Sequence, residues 1–244
     1  ASIGTLAAGM VHEIKNPLVC LKTFVQLLPS QYDDPDFRNT FMPLLGSEVE
    51  RINTIVSQLL NFSRPVKPTL VPSSLHTILE ESWQLAAQPL KVKGLSFRRD
   101  FAAEDDRILG DQHLLGQVFL NLYLNGIDAM EKGGALSVST RTVTGRGEAG
   151  VGRRPDGARW IEVRVSDTGR GISAENRQRI FDPFFTTKAN GTGLGLAVAH
   201  GIVLEHQGAI DVESTVGVGT TFRVLLPLLA GQSGRGESGK DGVA

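Results

Sequence analysis

Apolar residues recur at steps of three and four through Ile3, Leu6, Met10, Ile14, Leu18, Leu21, Val25 and Leu28, which lines one face of a helix. An amphipathic helix is predicted from about Ser2 to Leu28. Pro17 offers no N–H to the carbonyl of Glu13, so a bend is expected just after His12. Beyond the polar stretch Pro29 to Asp36, a second helical pattern runs through Phe41, Leu44, Leu45, Ile52, Ile55, Leu59 and Phe62, with Pro43 awkwardly near its start. One hairpin has too few layers to bury two apolar stripes. Pairing two copies into a four-helix bundle is the expected solution. Arg64-Pro65-Val66-Lys67-Pro68 reads as the end of the helix and a short stiff linker.

From about Thr69 the pattern changes to mixed helices and strands. Leu75 to Leu90 and Asp111 to Met130 read as helices, and Ser96 to Phe101, Leu136 to Val143 and Trp160 to Asp167 as strands. Thr144 to Arg159, rich in Gly and Arg, reads as an exposed loop between adjacent strands. A helix from Leu194 to Gln207 and strands Ala209 to Ser214 and Thr220 to Leu226 follow. Strands and helices without strict alternation favour a two-layer α+β sandwich. The expected organisation is a helical hairpin over residues 1–65, a linker over 66–70, the sandwich over 71–228 and a disordered tail over 229–244.

Composition narrows the functional classes. Lys plus Arg number 25 against 26 Asp plus Glu, so neither nucleic acid nor an anionic membrane surface is the expected partner. Cys20 is alone and can form no internal disulfide, which suits a reducing cytoplasm. No apolar run approaches the roughly 20 residues of a membrane span, and no leader pattern is present. The chain starts at Ala1, and is read as a fragment whose upstream part lies elsewhere.

Five stretches carry candidate chemistry. His12 beside Glu13 places an imidazole next to a carboxylate: the carboxylate can accept from one ring N–H and support the charge that develops as the other nitrogen attacks phosphorus. A solvated helix face is the plainer reading of that pair alone. Asn121 and Asn125, four apart, share a helix face, and an amide oxygen is a suitable ligand for Mg²⁺ on nucleotide phosphates. Asp167 ends a predicted strand, and Gly169 and Gly171 allow a flat ligand to approach. A buried carboxylate there can accept from an exocyclic amino group such as that of adenine, although an ordinary Asp-Thr-Gly turn reads the same. Gly191-Thr192-Gly193-Leu194-Gly195 precedes a helix whose first N–H groups suit a phosphate. Upstream of it, Phe181 to Lys188 puts aromatics beside a lysine that can reach one, in a lid-like segment, though an aromatic cluster is more often core.

Taken in order, His12-Glu13-x-x-Asn16-Pro17-Leu18, Asn121-x-x-x-Asn125, Asp167-x-Gly169-x-Gly171, Phe181 to Lys188 and Gly191-x-Gly193-x-Gly195 resemble the boxes of sensor histidine kinases over roughly residues 1 to 228, most closely the nitrogen-regulation and dicarboxylate-sensing subgroup. The resemblance implies a homodimeric phosphoacceptor hairpin and an ATP-binding domain of the gyrase and chaperone type. It implies ATP and Mg²⁺ as cofactors, a response-regulator receiver domain as partner, and an upstream sensor domain in a full-length protein that can be membrane-anchored. By the same resemblance His12 is the nucleophile, Glu13 its base, Asn125 the Mg²⁺ ligand, Asp167 the adenine acceptor, Thr220 a neighbour of adenine, and Asn16 the residue that positions water for regulator dephosphorylation. Three positions depart from the pattern: Gly126 replaces a common alanine, Asp182 replaces a glutamate, and Asp128 stands where many relatives carry a phosphate-contacting lysine or arginine, a role that falls first to Lys188.

Two rivals are weighed against this. An ATP hydrolase of the same superfamily resembles the chain in its pocket but needs a glutamate where Asn121 stands, and an amide takes up no proton at neutral pH. A non-catalytic dimeric adaptor would bind ATP only to set its conformation. A working activity dominated by regulator dephosphorylation through Asn16 is the remaining variant.

Overall fold

The structure is a computed structural model that describes residues 3–63, 67–144, 158–188 and 191–229, with backbone alone at 3–14, 16, 50–51, 53–55 and 57–63. The expected tail, most of the Gly- and Arg-rich loop and the start of the expected linker lie outside the described residues.

Helix α1 spans Ile3–Gln31 and α2 spans Pro35–Ser63. The connection is therefore much shorter than the polar stretch suggested. Asp34 explains the early start of α2: its carboxylate accepts from Asp36 N at 2.9 Å, and Pro35 takes the first helical position, where a missing N–H costs nothing. The helical assignment runs unbroken through Pro17, Pro29 and Pro43. Phe24 stacks on Phe37 at 5.5 Å and Phe37 on Phe41 at 4.7 Å, closing the turn end of the hairpin with aromatic surface. Leu18, Val19, Val25, Met42, Leu44, Val49 and Val56 remain exposed.

The second unit is a sheet with helices on one face. Strands β2 (Ser96–Phe101), β4 (Ala135–Thr144), β5 (Arg159–Asp167), β6 (Ala209–Thr215) and β7 (Gly219–Pro227) lie in the order β2-β4-β5-β7-β6. Only the β2–β4 pair is parallel. A parallel pair needs a crossover, and here it contains α4 (Gln112–Ala129), which therefore lies across the sheet. Helices α3 (Leu75–Val92), α4 and α6 (Gly195–Glu205) supply Leu75, Leu79, Leu115, Phe119, Leu122 and Val203 to a core completed by Leu136, Ile161, Val163, Val224 and Leu226 of the strands. Alternation along β5 sends Ile161, Val163, Val165 and Asp167 inward and Glu162 to the opposite face. Burial pushes the Glu162 carboxyl up, but Arg141 and Arg164, each at 2.7 Å, hold it below the usual carboxylate range.

A small antiparallel pair, β1 (Val71–Ser74) with β3 (Arg107–Gly110), has no counterpart in the sequence reading. It delivers Ser74 to the start of α3, where its side chain accepts from Thr77 N. Asp111 follows β3 and caps α4, its carboxylate accepting from His113 N, Leu114 N and Thr69 N at 3.1, 3.2 and 3.0 Å. A four-residue helix, α5 (Ala174–Arg177), is capped by Ser173, whose side chain accepts from Asn176 N.

Candidate functional site

A cavity of about 740 Å³ opens between α4, the end of β5 and the segments on either side of residue 190. Its wall on α4 carries Asn121, Asn125 and Asp128, which helical spacing turns to one side. Asn121 Nδ2 donates to the carbonyl of Gly195 at 3.2 Å, joining α4 to the start of α6. Lys188 Nζ donates to Asn125 Oδ1 at 2.8 Å and to Asp128 Oδ2 at 2.9 Å. Lys188 thus meets, at the cavity mouth, two groups that lie 63 and 60 positions before it in sequence.

The floor is built by strand pairing. Asp167, the last residue of β5, is register partner to Thr220 of β7, and both are buried. Asp167 Oδ1 accepts from Gly169 N at 2.8 Å. Burial pushes the Asp167 carboxyl up, and the backbone N–H groups of Gly169 and Thr220 oppose this without cancelling it. Apolar walls from Ile172, Ile180 and Phe222 surround it. Gly171 has φ +69°, and a Cβ there would stand 2.2 Å from the carbonyl oxygen of Thr215, so the turn after β5 admits no side chain.

Residues 180–188 form the outer wall. Phe181 packs against His200 with centroids 5.1 Å apart, and the Arg179 guanidinium lies 4.6 Å from the Phe185 ring centre. Both phenylalanines are partly buried against the core, and Phe185 also faces the cavity, so the cluster serves as packing and as wall. Phe184 is left-handed at φ 66° and its N–H donates to the carbonyl of Gly193 at 3.0 Å, while Gly193 is itself at φ +66°. This paired contact draws the two ends of the segment together. Leu194, at the N-cap of α6, makes no side-chain cap hydrogen bond.

Of the residues singled out from the sequence, Asn121, Asn125, Asp167, Gly171, Lys188, Gly191, Thr192, Gly193, Gly195 and Thr220 line this one cavity. Gly169 does not line it but donates its N–H to Asp167, and Leu194 is buried away from the cavity wall. His12, Glu13 and Asn16 fall on the backbone of α1, with their side chains outside the described residues. The sequence reading did not name Arg170, Ile172, Ile180, Val216 or Phe222 as wall residues. Arg170 lies inside the Asp167 to Gly171 motif and Ile172 follows its last glycine directly, so these two had a local signal. Asp128 appeared only as a missing cation.

Among the described residues, Asn125 is a group that could hold a divalent ion at the cavity mouth. Asn125 Oδ1 faces the cavity and already accepts from a cationic group, and among the described residues no cluster of three His, Cys, Asp or Glu side chains forms a metal cage. One protein oxygen supplemented by phosphate and water is the usual coordination of Mg²⁺ on a nucleotide.

Comparison with known proteins agrees with this geometry. Residues 110–230 match the family described as histidine kinase-, DNA gyrase B- and HSP90-like ATPase, and residues 2–67 match the His kinase A phospho-acceptor domain. The chain is 38% identical to the sensor histidine kinase ZraS of Escherichia coli K12 over 229 residues, covering 93% of this chain and 46% of that protein. It is 34% identical over 224 residues to sporulation kinase C of Bacillus subtilis 168, covering 91% of this chain and 48% of that one. The chain thus spans about half the length of these relatives. Among solved structures, histidine kinase ThkA in complex with response regulator protein TrrA superposes with a TM-score of 0.74 at 26% identity, over 93% of this chain and 62% of that one.

Proposed function

This chain belongs to the histidine kinases, matched in both its phospho-acceptor and its ATPase domains, and from that premise we propose that it phosphorylates itself on His12 with ATP and passes the phosphoryl group to an aspartate of a response regulator. The observation that carries the reading is the convergence of Asp167 and Thr220 at the cavity floor with Asn125 and Lys188 at its mouth, in one chain with a helix bearing His12 and Glu13. The floor suits an adenine amino group and the mouth suits phosphates. Asn121 favours transfer over hydrolysis: its amide is already committed to the Gly195 carbonyl and takes no proton from water.

In this mechanism Asp167 accepts from the adenine amino group, Thr220 borders the base, and the Gly191 to Gly195 loop with the start of α6 receives phosphate oxygens. Asn125 would hold Mg²⁺, which supplies charge neutralisation across the phosphates. Glu13 accepts from one ring N–H of His12 and so fixes the tautomer. The other nitrogen forms a bond to the γ-phosphorus as the bond to the β-γ bridging oxygen breaks, and ADP leaves. The receiver aspartate then attacks the phosphorus and returns the histidine to its neutral form. Asn16, on the same helix, is assigned to positioning water when the regulator is dephosphorylated. The exposed apolar residues of α1 and α2 support a homodimeric bundle. The subgroup resemblance from the sequence motifs and an upstream sensor domain belong to the same reading. No helix among the described residues is long and apolar enough to cross a membrane.

The test is incubation with γ-labelled ATP and Mg²⁺ beside His12→Ala and Asn125→Ala. Label that is lost in acid, survives base and vanishes in both variants is the expected result. Tight nucleotide binding without label in the wild type would sink the reading.

A further inference from the structure

Building on the nucleotide reading, the contacts of Lys188 lead one step further. Asn125 and Asp128 are three apart on α4, so one ammonium reaches both from the same side. Only Asp128 is charged, and it supplies most of the attraction, while Asn125 supplies direction. The backbone of Lys188 is also fixed locally, its N–H donating to Thr186 Oγ1 at 3.0 Å and its carbonyl accepting from Gly191 N at 3.3 Å. The cavity's outer wall is therefore tied to α4 through this one side chain. Asn121 makes the corresponding tie at Gly195.

We propose that Asp128 is a positioning residue that tethers Lys188 over Asn125, so that the nucleotide-free pocket carries its own cation where phosphates and their metal ion arrive. An amide oxygen engaged with an ammonium at 2.8 Å cannot also approach a divalent ion at about 2.0–2.1 Å from the same side. Loading therefore moves Lys188 off Asn125, and Asp128 keeps it at the mouth while it turns to the phosphates. The pair is suited to exchange. Lys188 is 32% and Asp128 54% exposed, which keeps the ion pair weak, and a lysine on a flexible stem turns between acceptors more readily than a forked guanidinium. Pairing also neutralises a carboxylate that would otherwise repel phosphate. The acidic residue at 128, which looked like the loss of a phosphate contact, anchors the residue that makes it.

The test uses the full chain without nucleotide. Brief treatment with an amine-acylating ester, read by peptide mass spectrometry, compares Lys188 with Lys93, whose Nζ donates to the carbonyls of Ile127 and Met130 at the end of the same helix. Asp128→Asn should raise the labelling rate of Lys188 about two- to fivefold, the range expected for a half-exposed pair. Lys93 should stay unchanged, and Asp128→Glu should restore wild-type labelling. Unchanged Lys188 labelling in Asp128→Asn overturns the tether, and so does a parallel rise at Lys93, which would mean that α4 had loosened. Calorimetric titration with Mg²⁺ and ADP on the same samples separates this from its premise. Binding by the wild type with no labelling difference sinks the tether alone, whereas no binding sinks the nucleotide reading and the tether's purpose with it.

Discussion

Asp167 on β5 and Thr220 on β7 are direct register partners, so the floor of the cavity is set by a strand pairing and inherits the rigidity of the sheet. Burial raises the Asp167 carboxyl, which means the folded state disfavours its charge. A raised carboxylate works against stability at pH above its folded value, and that cost is relieved as pH falls through it. Asp167→Asn is therefore expected to melt at the same or a higher temperature than the wild type at pH 7, while losing about tenfold in nucleotide affinity with the charge-assisted hydrogen bond. Scanning calorimetry with and without ADP checks both halves, and undiminished affinity would remove Asp167 from the adenine site.

Two helical glycines should respond to alanine with opposite signs. A Cβ on Gly126 would stand 2.8 Å from Leu136 Cδ1 and 3.3 Å from Asp167 Cβ, whereas one on Gly201 in α6 meets nothing within 4 Å. Gly201→Ala should stabilise by about 0.5–1 kcal/mol through helix propensity. Gly126→Ala should instead destabilise by about 1 kcal/mol or more and shift Asp167. Urea denaturation of the two variants decides the matter, and a gain in both would sink the packing argument.

Asp111 is the cap on which α4 depends. Burial pushes its carboxyl up, but the N–H groups of Leu114, Thr69 and His113 hold it below the usual range. A lowered carboxylate contributes stability above its unfolded value, about 3.9, that is lost as pH falls through the folded one. Asp111→Ala should cost about 1–2 kcal/mol at pH 7, and its deficit should shrink progressively below about pH 4. A deficit independent of pH would show that packing, not the capping charge, is responsible.

Gly193→Ala should separate the pocket wall from the core. A Cβ would lie 2.4 Å from the Phe184 carbonyl carbon at a left-handed φ, so the pairing of 184 with 193 must open. Because these residues lie outside the sheet, the global melt should fall little, while nucleotide affinity drops about fivefold or more, in line with about 1–2 kcal/mol of local strain. Equal losses in melting and binding would contradict a locally confined role.

Much of this was legible in the chain. The stripes of Ile3 to Leu28 and Phe41 to Phe62, and the asparagines four apart, carry a helical period that survives single prolines, because a long apolar face outweighs one missing hydrogen bond. The ends of helices were less legible, since they depend on caps: Asp34 starts α2 at Pro35, ahead of its apolar stripe. Strands β1 and β3 escaped because four residues carry too little alternation, Pro72 breaks one, and their pairing joins Ser73 to Ile108 across the length of α3 and β2. In the site, motif residues announced themselves and Asp128 stood out as a departure, but its contact with Lys188 did not show. Its meaning lies in Lys188, sixty positions downstream, and spacing along a chain carries no information about such a partner.

Strand β7 comes last among the described strands yet lies between β5 and β6. During synthesis from the N-terminus, β5 therefore has an unpaired edge until residues beyond Gly219 have emerged, and Asp167 waits with it. The hairpin can form early from local contacts, but nucleotide can be held only by a finished domain. A chain truncated before Thr220 would keep the helix that carries His12 and lack the residue paired with Asp167 at the cavity floor.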